Sequence, residues 1–131
     1  MTYTNLQAHP LPMDKPAPSE IIDEIKGYRW LMTDTERAHI SQMLNVDTSD
    51  ITIRGNIMAQ DRACCKGCGK HSGLDDLIHN ALYAGIHTKR FMLDVLTNGP
   101  KGPSPPHELI CSRCLEKYEG AFLWIPTMPW F

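Results

Sequence analysis

Two short motifs carry the residues best suited to chemistry: Cys65-Lys66-Gly67-Cys68-Gly69-Lys70 and Cys111-Ser112-Arg113-Cys114. A two-residue spacer lets the chain curl so that both sulfurs of a pair face one ion. Gly67 and Gly69 tolerate the positive φ and close amide approach that such a turn needs. The two pairs together supply Cys65, Cys68, Cys111 and Cys114, enough to complete a tetrahedral site. Four thiolates close that site, leaving no position for a water. They also leave two negative charges in excess over a divalent ion, and Lys66, Lys70 and Arg113 lie beside them. The expectation is one structural zinc ion. An iron or iron–sulfur centre would use the same ligands, but nothing else in the chain points to electron transfer. Redox dithiols or unliganded thiols are the third reading. His71 and His107 flank the motifs and could each replace a cysteine. Cys64, the spare thiol, is expected to point away from Cys65 and to be a bystander rather than a nucleophile.

On these residues the chain resembles the broad class of zinc-knuckle folds, the treble clefs and zinc ribbons. There a Cys-x-x-Cys-Gly turn after a strand pairs with a second Cys-x-x-Cys. A treble clef implies that Cys111 and Cys114 open a final helix, here Leu115 to about Phe122. The 42 residues between Cys68 and Cys111 leave room for an inserted helix or two. Leu109-Ile110-Cys111-Ser112-Arg113-Cys114 also faintly resembles the later knuckle of HNH-type nucleases. Those need a metal-binding His or Asp-His segment between the motifs, for which His79-Asn80 is a poor substitute.

A second candidate set lies on one helix. Leu74, Leu77, Ile78, Ala81, Leu82 and Ile86 follow amphipathic spacing, with Ser72 as a cap, and on the opposite face Asp75, His79, Tyr83 and His87 recur every four residues. An Asp and a His one turn apart can share an ion or a proton, and a Tyr and a His can serve acid–base steps. The competing expectation is that this stripe is simply the solvated face of the helix.

Several elements must position these groups. A helix is expected from Ser19 to about Met32, with Ile21, Ile25, Tyr28 and Met32 on one face. Thr33-Asp34-Thr35-Glu36 has the capping-box pattern and opens a second helix that turns Ile40, Met43 and Leu44 inward. The resulting αα-hairpin offers only Arg37 and Gln42 beside Glu36 for reading DNA, too little for a helix-turn-helix. Ile51 to Ile57 alternates as a half-buried strand that leads into the first cysteine pair. Lys89 to Leu96 suits a short helix or a buried strand. Residues 98–106 are loop chemistry throughout.

With 131 residues, 42% apolar and 21% charged, the composition is that of one globular domain. The expected division is a Pro-rich extended arm over residues 1–18 and a single zinc-stapled α+β domain over residues 19–131, with helices around a short strand or hairpin. Residues 1–61 hold five basic and nine acidic side chains, and residues 62–131 eight and six. So slight a basic excess does not favour nucleic acid, which would have to use Lys66, Lys70, Lys89, Arg90 and Arg113. The start lacks a secretory pattern, and no stretch approaches ~18 apolar residues. A cytoplasmic protein with no membrane partner is expected, its thiols reduced or metal-bound. The tail, with Trp124, Trp130 and Phe131, is expected either to cover the core or to anchor a partner. The combined reading is an interaction or regulatory module that binds another protein. The rivals are a small-molecule enzyme using the Asp75, His79, Tyr83, His87 stripe and a nucleic-acid-binding zinc protein.

Overall fold

The computed structural model describes residues 8, 15–23, 26–83, 87–98 and 108–125. Nearly all of the Pro-rich arm, the loop with His107, and the tail residues Trp130 and Phe131 lie outside them. Three strands and three helices form an α+β domain: β1 (Glu20–Ile22), β2 (Gly27–Leu31), α1 (Asp34–Leu44), β3 (Gly55–Met58), α2 (Leu74–Tyr83) and α3 (Lys89–Asn98). The sheet is antiparallel in the order β1-β2-β3.

The helix expected over Ser19 to Met32 is instead the β1–β2 hairpin, with Glu20 opposite Arg29 and Ile22 opposite Gly27. Lys26 turns the chain at φ 50°. A Cβ on Gly27 would stand 2.6 Å from Ile57 Cγ2, so this position needs glycine for close approach to β3. Tyr28 and Trp30 have strand-favouring aromatic side chains, and β2 pairs on both edges, with β1 and with β3. Those two ladders outweigh the local helical spacing.

The second helix begins as expected. Thr33 Oγ1 accepts from the Glu36 amide at 3.1 Å, while Glu36 Oε2 accepts from the Thr33 amide at 2.5 Å. Ile40, Met43 and Leu44 face inward, but so do Glu36 and His39. The expected strand over Ile51 to Ile57 is shorter and later. A 3-10 turn, Thr48–Asp50, precedes it, and the Arg37 guanidinium takes the carbonyls of Ile51 and Ile53. Residues 123–125 then line β3, with the Ala59 amide donating to Leu123 O at 3.0 Å and the Ile125 amide to Ile57 O at 2.8 Å. Trp124 is thus half-buried against the core.

The core joins sheet, helices and C-terminal segment. Trp30 meets Phe122 edge-on at 6.2 Å, and Phe122 meets Tyr118 at 6.1 Å. Trp30 Nε1 donates to Gln60 O at 3.1 Å, so its burial leaves no orphaned donor. Among the described residues no helix is long and apolar enough to cross a membrane.

Candidate metal centre

Cys65, Cys68, Cys111 and Cys114 come together with their sulfurs all within 4.8 Å of one another. Cys65 Sγ lies 3.3 Å from Cys114 Sγ and Cys68 Sγ 3.7 Å from Cys111 Sγ, well beyond an S–S bond of about 2.05 Å. A tetrahedral ion with metal–sulfur bonds of ~2.3 Å would space its ligands at about 3.8 Å, and the cluster brackets that value. Four free thiols at this spacing could hold a metal ion.

The two pairs sit in congruent hairpin loops, offset by 46 residues. The Cys65 amide donates to Lys70 O and the Cys111 amide to Glu116 O, both at 2.8 Å. The Gly69 amide donates to Cys65 O at 2.8 Å and the Leu115 amide to Cys111 O at 2.9 Å. The loops close with the Ser72 amide on Ala63 O and the Tyr118 amide on Leu109 O, and with β-bridges Cys64–His71 and Ile110–Lys117. Gly69 and Leu115 occupy the same place at φ 81° and 69°. Residues 115–122 are therefore not the helix expected after Cys114. They are the return limb of the second loop, and they deliver Tyr118 and Phe122 to the core.

The loop amides also point at the sulfurs. Cys65 Sγ accepts from the amides of Cys68 and Gly67, and Cys111 Sγ from those at the matching places, Cys114 and Arg113. For Cys65, burial works against the thiolate, yet these amides and Cys114 hold its pKa below the usual thiol value. Burial dominates at the other loop, where it pushes Cys111 far up and Cys114 up to about 11. A cation at the centre would oppose that burial term directly.

One carboxylate fastens both loops to α2. Asp76, fully buried, accepts at Oδ2 from Lys70 Nζ at 2.8 Å, the Gly73 amide at 2.9 Å and Tyr118 OH at 2.9 Å. Its Oδ1 accepts from the Ser112 amide at 2.8 Å and Ser112 Oγ at 2.6 Å. Asn80, one turn on, pairs with the backbone of Ile110 in both directions, at 2.8 and 3.0 Å. Arg62 does similar work before the first loop, bonding Glu36 Oε1 and Ser72 O at 2.8 Å each, and Leu31 O as well.

The Asp75, His79, Tyr83, His87 stripe is solvated only at its far end, where Tyr83 is half-buried and His87 exposed. Asp75 and His79 are 1% and 0% exposed, because α2 packs against α1 on one side and the cysteine loops on another. All eight residues from Leu74 to Ala81 are buried. Asp75 Oδ2 lies 2.9 Å from His39 Nδ1, and its Oδ1 accepts from Lys70 Nζ at 3.0 Å. His79 packs between the rings of His39, at 6.3 Å, and Tyr83, at 4.9 Å. His87 lies apart from them, stacked on Phe91 at 4.1 Å, with its pKa lowered by burial. Burial would raise Asp75, but Lys70 and His39 outweigh it and hold the carboxyl below its ordinary value. Burial and the adjacent Asp75 push Asp76 up despite Lys70. Lys70 itself is held charged by the two carboxylates against its own burial.

Cys64 is exposed and donates through its thiol to Gly69 O at 3.4 Å, away from the cluster. His71 is its bridge partner, and burial followed by the charges of Arg62, Lys15 and Lys70 lowers its pKa. Of the five cations in the nucleic-acid reading, Lys66 pairs with Glu119 and Lys70 with Asp75 and Asp76. Sequence reasoning passed over Asp76, Asn80, Ser112, Tyr118, Arg62 and His39. For each of these only the packing shows the role.

Fold and site together define a small α+β protein built round a half-buried four-thiol centre that could hold a metal. Over residues 16–129 the chain matches the family described as Domain of unknown function (DUF8243), and it belongs to that family. No curated protein and no solved structure matches it.

Proposed function

We propose that Cys65, Cys68, Cys111 and Cys114 bind a single zinc ion that holds the fold together, and that the domain acts by binding another protein. The closed four-thiol set carries the first part. Its sulfur spacing suits a tetrahedral ion, its ligands leave no position for substrate or water, and its loops are tied to a buried helix. Zinc is preferred to iron because nothing around the centre suggests electron transfer. Two congruent hairpin loops, with no following helix among the described residues, favour a zinc-ribbon-like arrangement over a treble clef.

A binding role is supported by apolar side chains held in water. Ile21 is 67% exposed on the short strand β1, and Phe91 and Leu115 are 38% exposed. In the polar stripe, by contrast, Asp75 is taken up by His39 and Lys70 and His79 is packed between rings, and His87 lies apart from them, which weakens the support for catalysis.

Metal analysis of purified protein is expected to return about one zinc per chain, and less than about half an equivalent would sink the structural role. A native pull-down from the source cell extract, with zinc-loaded protein as bait, is expected to capture a protein that a Cys111→Ser variant does not. Equal capture by both, or none by either, would remove the protein-binding reading.

A further inference from the structure

We propose that the cleft walled by β2, the first turns of α1 and the segment before β3 binds a small molecule through a phosphate group. The cleft is about 470 Å³ and is lined by Glu20, Arg29, Leu31, Met32, Arg37 and Arg54. That size lies within the ~300–1,000 Å³ of small-molecule sites. None of the six belongs to the cysteine loops, so this site is separate from the metal centre.

Three arginines from three different elements line this cleft, against a single carboxylate. Like charges gather at a cost unless an anion answers them. Arg37 is fixed in place by the carbonyls of Ile51 and Ile53. The Arg54 side chain is exposed and makes no hydrogen bond or ion pair among the described residues. Arg29 reaches Glu20 only at 3.4 Å, and its Nε is buried with no hydrogen-bond partner. A guanidinium presents a planar fork that matches phosphate oxygens two at a time. The net charge of the cleft, three cations and one anion, suits a dianion. Leu31 and Met32 would meet the less polar remainder of the ligand. Glu20 is the built-in competitor, since an incoming phosphate takes its place on Arg29. A small cleft with no extended basic track beside it among the described residues favours a small molecule over a nucleic-acid backbone.

The test uses the zinc-loaded full chain and inorganic pyrophosphate as the probe, read by titration calorimetry. Saturable one-to-one binding is expected, weakened about tenfold by Arg54→Ala, less by Arg54→Lys, and tightened by Glu20→Gln. Lys89→Ala removes an equal charge elsewhere and is expected to change nothing. Thermal unfolding of each variant shows that the exposed substitutions leave the fold intact. No saturable binding at millimolar pyrophosphate would overturn the proposal, as would equal weakening by Arg54→Ala and Lys89→Ala. So would a single-stranded oligonucleotide that binds through Arg54 and is not displaced by pyrophosphate, since the partner would then be nucleic acid.

Discussion

Asp76→Ala removes the acceptor on which both cysteine loops hang. Five donor contacts converge on this carboxylate, from Lys70, Gly73, Tyr118 and twice from Ser112. Breaking a buried ion pair by deleting one partner costs about 3–5 kcal/mol. Lys70 keeps Asp75, which places this part at the lower end. Each buried donor left without an acceptor adds ~1–3 kcal/mol, and the Ser112 amide and Tyr118 hydroxyl both qualify. These terms do not simply add, but a loss on the order of 5 kcal/mol is a large share of a domain stability of ~5–15 kcal/mol. Asp76→Asn keeps one oxygen and relieves the buried negative charge, so it should lose roughly half as much. Denaturant unfolding of the zinc-loaded protein measures the stability, and the rate of zinc transfer to a chromogenic chelator measures the grip of the loops. Stability should fall, and the transfer rate should rise, in the order wild type, Asn, Ala. An Ala variant within about 1 kcal/mol of wild type and equally slow to release metal would refute the reasoning.

Three further outcomes are expected. Gly69→Ala places a side chain at φ 81° with nothing within 4 Å of its Cβ, so its cost of about 1 kcal/mol in a melt is conformational alone. Leu115→Gly, at the congruent site, should be neutral or mildly stabilising. Asp75 has its folded pKa held below the ordinary 3.8, so its contribution is present above that value and is lost as pH falls through the folded one. The acid limb of a stability–pH curve should therefore be shallower in Asp75→Asn. Excess chelator should convert the far-ultraviolet spectrum toward that of an unfolded chain, reversibly on adding zinc, while Cys64→Ser should behave as wild type throughout.

How far the sequence could be read depended on whether the signal was local. The paired cysteines, the Thr33–Glu36 capping box and the apolar spacing of α2 each live within one turn or one helix, and each led to an element that exists, whereas Lys89 to Leu96 suited helix or strand and is the helix α3. The β1–β2 hairpin was misread because Ile21, Ile25, Tyr28 and Met32 satisfy helical spacing by accident. Lys26-Gly27 followed by aromatic residues was the contrary hint, and only pairing with β3 decides the matter. Asp75 and His79 were misread because polarity normally means solvent. Here Asp75 meets His39 and Lys70, and His79 packs its ring against His39, partners that no periodicity could bring beside them. The segment after Cys114 was misread by following the treble-clef pattern instead of the internal repeat.

The congruent loops have a kinetic consequence. Each brings only two sulfurs, and 42 residues separate Cys68 from Cys111. Closing so long a loop is entropically slow to repay, and α2 lies inside it. An ion caught by one loop is held by half a grip until α2 docks and its Asp76 reaches across to Ser112. Tight capture of a metal at this centre would thus wait on the docking of α2, and a tightly held ion would report that the helix has found its place.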